Sequence, residues 1–406
     1  MRKTIDTPAT CSRRNAMLAL AGVAAQLSGC GGGGGGVAGL STGGTGSFTS
    51  GTITGFGSII VNGIRYNNDA AAVFTSDDAS SSNAALQLGM VVTIEGSATT
   101  PATSVSGLPT ATATRITFGS EWIGPVSNLG VASFEILGHT VDVLSSTIFS
   151  GAVTQLTSLT TAHYVEVYGY VNQTNGHIQA SRIEVSTTAP NVYRLSGALT
   201  QINSSTQTAL LGLTPLHWST ASVLPSGLAE NTFVRVTLDT APSNTGNGNV
   251  WNATRIAALS SPIGNLTDHQ EYEAEIHGAI TAFNSTADFT VNGIPVNASS
   301  AQVSGVLAVG VLVEVQGTIR AGQLQASQVS VQSSQAMQTQ EFEFYGQVSN
   351  ASVSTQSFVL RGQTFSYDSN TAMGGVNFAQ TPTPNVEVKA RRVNNGWYAY
   401  EIDLQN

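Results

Sequence analysis

Apolar and polar residues alternate along most of this chain with a period of two, and long stretches with the 3.6-residue period of a helix are absent. The clearest case is GTITGFGSIIVNG at 51–63, where Ile53, Phe56 and Ile59 stand among Thr52, Thr54 and Ser58. On a strand every second side chain faces the same way, so this pattern predicts sheet with one buried face. The run closes on Asn62-Gly63. That pair suits a type I′ hairpin turn, whose two central residues both need φ > 0. The predicted order is strand, glycine kink, strand, turn.

The pattern returns in weaker copies down to the C-terminus. Aligning Gly51 with Gly124, Gly197, Gly278 and Gly346 gives steps of 73, 73, 81 and 68 residues, a repeat with slack for loops. Each copy opens on a glycine and an alternating strand: GTITGFG, GPVSNLG, GALTQIN, GAITAFN and GQVSNAS. A second strand runs to a turn, which in the fourth copy is again Asn-Gly, at Asn292 and Gly293. A third strand follows, then a polar connector holding a Leu or Val, as in Leu86-Gln-Leu-Gly-Met90, for which a short helix is expected. The fourth strand is VVTIEG, YVEVYG, FVRVTL, LVEVQG or NVEVKA, and the fifth opens at Ala113, Ala180, Ala253, Ala326 or Ala399.

Five short strands with a connector between the third and fourth follow the order of an OB-type barrel. The expected fold is all-β, about five tandem OB-like β-barrels, with small β-sandwiches as the alternative. The expected organisation is a signal peptide at 1–29, a Gly-rich tether at 30–50, and repeats at 51–118, 119–187, 188–260, 270–332 and 340–406. As separate modules these would bury their own residues, with few contacts crossing 186–191 or 260–270.

The N-terminus supplies an address. Arg13-Arg14 precedes an apolar run from Ala16 to Leu27, too short to span a bilayer and right for a signal-peptide core. The run ends in Leu27-Ser28-Gly29-Cys30. This resembles the bacterial lipobox, and the resemblance implies cleavage before Cys30 and lipid on that cysteine. The arginine pair resembles the Tat signal, although Asn15-Ala16-Met17-Leu18 lacks its usual phenylalanine. Gly rather than Asp at position 31 implies, by resemblance to characterised lipoproteins, sorting to the outer membrane.

Composition supports these readings and excludes others. Only 10% of residues are charged and 43 are Gly, which suits strands and turns better than helix bundles. Formal charge is −9, and residues 1–29 hold four of the 15 basic residues against one of the 24 acidic ones, so cleavage takes the balance to −12. Phosphate backbones would repel such a chain, and no nucleic-acid partner is expected. Cys11 leaves with the signal peptide, so Cys30 remains the lone cysteine and no disulfide framework can form.

Taken together, GFGSIIVNG, LQLGMVVTIEG and ATRI resemble the repeats of the proteobacterial domain-of-unknown-function family 5666. The resemblance is good in the first copy, fair in the fourth and fainter elsewhere. It implies a repeated small β-domain in exported proteins and carries over no catalytic residue.

Candidate chemistry is sparse. The six histidines lie at no tight metal-ligand spacing, and there is no G-x-S-x-G elbow. No enzymatic activity and no cofactor are expected. Glu271, Glu273 and Glu275 alternate, so a strand would set all three carboxylates on one face. That arrangement offers a weak Ca²⁺ site or, as the blander alternative, a solvated strand face whose like charges discourage edge pairing. Arg115 and Arg182 recur opposite Glu95 and Glu166 in the strand pattern, as cross-strand ion pairs would, whereas Arg255 faces Arg235 in the third copy. The expected function is a non-enzymatic exported lipoprotein acting as an envelope binding or scaffold module. Its expected partners are the membrane, through lipid on Cys30, and an unidentified envelope protein or glycan. A surface adhesin or matrix component, and an enzyme or enzyme subunit with an inter-repeat cleft, are the alternatives.

Overall fold

The chain folds into five closed five-stranded barrels. The computed structural model describes residues 46–405 except 77–79, 103–106, 173–174, 245–248, 259–260, 265, 267–270, 333–339, 380–381 and 394–395. Arg13, Arg14, Leu27, Ser28, Gly29 and Cys30 lie outside the described residues.

Barrel 1 is built from Gly46–Phe56, Ile59–Val61, Ile64–Asn67, Val91–Ser97 and Thr110–Phe118. Its first strand pairs antiparallel with the second, the second with the third, the fifth with the fourth, and the fourth with the first. The third and fifth run parallel and close the ring. That is the OB order, and it leaves no sandwich.

The same five pairings recur four times. Barrel 2 uses Trp122–Ser127, Ser133–Ile136, His139–Gly151, Tyr164–Val171 and Ile178–Ser186. Barrel 3 uses Tyr193–Asn203, Thr208–Leu211, Thr214–Val223, Phe233–Leu238 and Asn249–Ala258. Barrel 4 uses Tyr272–Ser285, Asp288–Val291, Ile294–Asn297, Leu312–Arg320 and Gln323–Val331. Barrel 5 uses Phe342–Ser352, Ser357–Leu360, Gln363–Ser366, Asn385–Val393 and Gly396–Leu404.

Two local devices shape every barrel or nearly so. The fourth and fifth strands slip register at one place in each copy: Glu95/Gly96, Tyr168/Gly169, Thr237/Leu238, Gln316/Gly317 and Lys389/Ala390. Such a bulge coils the sheet, which a five-stranded ring needs. At Gly169 and Gly317 a Cβ would stand 2.1 Å from the carbonyl oxygens of Gln179 and Gln325, so the strands close only around glycine. In the hairpin, Asn62 and Gly63 have φ of 51° and 70°, and Asn292 and Gly293 have 46° and 80°. The Asn side chain then folds back over the glycine of the first strand: a Cβ on Gly51 or Gly278 would lie 2.2 Å from it.

The connector between the third and fourth strands is not an α-helix. In barrels 1, 4 and 5 it carries short strands, Ala72–Thr75, Gln302–Ser304 and Ala372–Gly374, that continue the third strand along the fifth. Asn83–Ala85 and Leu156–Ser158 are single 3₁₀ turns. The reason lies in the spacing: Leu86, Leu88 and Met90 are all buried in the core at every second residue, which a helix cannot do, and a turn with Gly89 at φ 82° and Met90 N donating to Gln87 O at 3.2 Å brings them there.

The tether ends sooner than its composition suggested. Gly46–Ser50 is strand and entirely buried. Ser47, Phe48 and Thr49 pair parallel with Glu273, Ala274 and Glu275 of barrel 4. The buried Thr49 hydroxyl is satisfied by Tyr66, 2.6 Å away.

Nor are the barrels separate beads: they form one compact unit. At its other end the first strand of barrel 1 pairs Gly55 and Phe56 with Glu343 and Phe344 of barrel 5. Barrels 2 and 3 meet at Ile123 and Arg194, where Trp122 Nε1 donates to Ser196 O at 3.0 Å and His139 Nε2 lies 2.8 Å from Thr214 Oγ1. Cores merge accordingly. Ile53, Ile59 and Val61 of barrel 1 pack with Phe342, Phe344 and Trp397 of barrel 5, Trp122 and Phe134 pack with Leu195 and Trp218, and Phe48 of barrel 1 sits in the core of barrel 4.

Candidate functional site

Because the first strand of barrel 1 runs alongside the first strands of barrels 4 and 5, the three barrels enclose space between them. A cavity of ≈ 540 Å³ opens there. Barrel 1 lines it with Thr52, Thr54 and Asn62, barrel 4 with Glu275 and His277, and barrel 5 with Glu341, Glu343, Lys389 and Tyr400. Tyr170 of barrel 2 reaches in as well, 3.1 Å from Thr52 Oγ1. Burial pushes the Tyr170 phenol up to about 12.

The barrel 5 wall concentrates acids. Glu343 is only 8% exposed, and burial, reinforced by the neighbouring Glu387 carboxyl, pushes it up to about 7. Tyr345 Oη donates to it at 2.8 Å, and the Arg65 guanidinium lies 3.6 Å above the Tyr345 ring. Burial works against the charge on Lys389, but Glu401, 2.8 Å from its Nζ, holds its pKa above the ordinary value. Burial and then Glu341 raise the Tyr400 phenol. The wall therefore offers carboxylate acceptors and, in Glu343, an acid held well above the usual carboxylate range by burial.

In barrel 4, Glu273 and Glu275 lie two residues apart on the strand Tyr272–Ser285 and Glu271 just precedes it, and the three carboxylates do not converge. Glu271 pairs with Arg320. Glu273, 5% exposed, accepts a 2.8 Å hydrogen bond from Thr99 of barrel 1. Glu275 joins a different group. Its Oε1 lies 3.4 Å from His277 Nε2, and Glu314 Oε2 lies 3.6 Å from the same nitrogen. Glu314 is fixed by Gln316 and Gln332, which donate to its two oxygens at 2.9 and 2.8 Å. Sequence reasoning found Glu275 and missed its companions, since Glu314 lies far along the chain. The signal was the strand order itself, because the antiparallel pairing of first and fourth strands sets His277 opposite Glu314.

A second cavity of ≈ 510 Å³ lies among barrels 1 to 4 and is lined by Glu95, Arg115, Glu121, Arg235 and Arg255. Arg115 faces Glu95 across the strands at 3.9 Å. Arg182 does not face Glu166. It is 5% exposed, binds Glu184 in its own strand and Ser150, and donates to Leu88 O of barrel 1 at 3.0 Å. Arg235 reaches Ser76 O of barrel 1 at 3.4 Å and Glu121 at 3.7 Å. These arginines hold barrels 2 and 3 against barrel 1.

Fold and site thus define an array of small closed β-barrels with cavities where they meet. The model of a domain of unknown function, DUF5666, matches residues 49–105, 123–184, 277–330 and 345–403, together more than half of the chain, and the protein belongs to that family. The stretch between the second and third matches is barrel 3 in large part, which has the same strand order. No curated protein matches the chain.

Proposed function

We propose that this protein is a non-enzymatic, exported bacterial lipoprotein that acts as a binding or scaffold module of the cell envelope, anchored by lipid on Cys30 and sorted to the outer membrane. The observation that carries the binding reading is the ≈ 540 Å³ cavity walled by three barrels, a mainly apolar surface that includes Ile60, Leu108, Leu312 and Phe342, with the polar groups of Glu275, His277, Glu343 and Lys389 set into it. The array suits a scaffold because the strand edges its barrels leave at the first strands are taken up by neighbouring barrels. The lipid reading rests on Leu27-Ser28-Gly29-Cys30 and the export reading on the signal core before it. A charge of −12 after cleavage argues for partners other than nucleic acid.

Two measurements test this. Cys30→Ser should abolish lipid labelling and move the chain from the membrane fraction to the soluble one, since acyl burial contributes about 0.8 kcal/mol per CH₂; retention in membranes overturns the anchor. The full chain should bind a defined glycan or envelope protein in pull-down from envelope extracts, and Thr54→Trp, which fills the cavity, should lose it. Loss of cell attachment in its absence, with no soluble partner, would favour an adhesin instead.

One observation favours a second reading, an enzyme subunit working in the cleft: Glu341, Glu343 and Tyr400 share the cavity with residues of two other barrels. Turnover of glycosidic or ester substrates that is lost in Glu343→Gln would establish it.

A further inference from the structure

Glu275, His277 and Glu314 bring one imidazole nitrogen and two carboxylate oxygens within 4.8 Å of one another. His277 Nε2 is buried and makes no hydrogen bond, although it faces both carboxylates. A buried ring nitrogen that passes over two acceptors at 3.4 and 3.6 Å is held at the wrong span for hydrogen bonding. It is the right span for sharing an ion. With metal–ligand lengths of about 2.1 Å, tetrahedral coordination sets ligand atoms about 3.4 Å apart.

The surroundings support the same reading. The backbone fixes all three groups, since His277 and Glu314 are directly opposed in adjacent strands and Glu275 is two residues before His277 on the same face. Gln316 and Gln332 orient Glu314 from behind, as outer partners of a ligating carboxylate do. His277 O accepts from Asn292 Nδ2 at 3.4 Å, tying the strand to its own hairpin. Two carboxylates carry the charge of one divalent cation, and one imidazole among three ligands selects a first-row transition ion over Ca²⁺.

We propose that Glu275, His277 and Glu314 bind a divalent transition-metal ion of the zinc or manganese type at the edge of the cavity between barrels 1, 4 and 5, with a coordination position left for water or a ligand oxygen. Glu275 and His277 line that cavity, so an ion there presents its open position to whatever the cavity holds. The site differs from the carboxylate trio read from the sequence, because Glu271 and Glu273 are engaged elsewhere. The inference builds on the binding reading only in sharing its cavity. Metal is measured without any organic ligand, so failure here leaves that reading standing.

The test is titration of the full chain with Co²⁺, followed by visible absorption. One equivalent should give d–d bands of a four- or five-coordinate site, displaced by Zn²⁺ and unmoved by a large excess of Ca²⁺. Glu314→Gln should weaken Co²⁺ at least about tenfold, and His277→Ala should abolish the bands. Glu271→Gln and His177→Ala should leave them intact. Circular dichroism checks that each variant is folded, and Glu314→Gln, which keeps shape and volume, carries the test if His277→Ala is not. No bands in the wild-type chain, bands that survive His277→Ala, or equal loss in Glu271→Gln would overturn the proposal.

Discussion

Gly63 and Gly169 are both glycine, for different physical reasons. Gly63 stands at φ 70° with nothing within 4 Å of a Cβ, so a side chain there meets backbone strain and no clash. Gly63→Val should destabilise barrel 1 by about 1–3 kcal/mol in denaturant unfolding. Gly169 is extended, but a Cβ would stand 2.1 Å from Gln179 O, and backbone cannot step aside cheaply. Gly169→Ala should therefore cost more than Gly63→Ala, although the same methyl is added. Glu343 sets a pH dependence. Its folded pKa of about 7 lies above the ordinary 4.5, so the folded chain keeps a proton that the unfolded chain releases. This contribution to stability is full below pH 4.5 and is lost as pH rises through about 7. Glu343→Gln should make the decline in melting temperature across that window shallower; an unchanged slope would contradict the buried acid.

At the scale of elements, the hairpin of barrel 1 does more than turn the chain. Asn62 Nδ2 donates to Ser50 O at 3.1 Å and to Glu275 O of barrel 4 at 3.2 Å. Asn62→Gly keeps the positive φ while removing both bonds, and should loosen the seam by about 1–2 kcal/mol, read as faster amide exchange in Tyr272–Ser285 with little change in Phe233–Leu238. The strands themselves were legible because alternation such as Val-Glu-Val survives in every fourth strand, and Asn-Gly marks two of the turns. The first strands are longer than the pattern predicts: they begin at Trp122, Tyr193, Tyr272 and Phe342, two to six residues before the aligned glycines. Gly46–Ser50 was hidden for a related reason. Its sequence GSFTS has one apolar side chain, and the burial of its serines and threonine depends on barrel 4, far away in the chain. Arg182 misses Glu166 on another ground, register within its own repeat: the residue opposite it, where the first copy has Glu95, is Tyr168, and Glu166 lies opposite Glu184. Pattern within a repeat reports that repeat; pairing between repeats leaves no periodic mark.

The whole molecule is organised by barrel 1. Its first strand lies against barrels 4 and 5, its Thr52 meets Tyr170 of barrel 2, and its Ser76 meets Arg235 of barrel 3. A barrel of some 65 residues would bury only about 60% of its unfolded surface and be marginal alone, without disulfides. Shared strands offset that, and they also create the cavities, so stability and the candidate site come from the same junctions. The metal-ligand group follows this logic. Glu275 faces the junction because its strand is pressed between barrel 1 and its own fourth strand.

The most direct test of this shared architecture is Phe48→Ala, followed by hydrogen exchange over the whole chain. Phe48 belongs to barrel 1 by connectivity, is fully buried, and packs with Ala274, Ile276 and Phe289 in the core of barrel 4. Truncating a buried Phe costs about 3–5 kcal/mol. If one strand serves two barrels, protection should fall in Tyr272–Ser285 and Leu312–Arg320 of barrel 4 as well as in Val91–Ser97 of barrel 1, while Phe233–Leu238 of barrel 3 stays protected. Loss confined to barrel 1, with barrel 4 exchanging at its wild-type rate, would contradict the account and restore five independent domains.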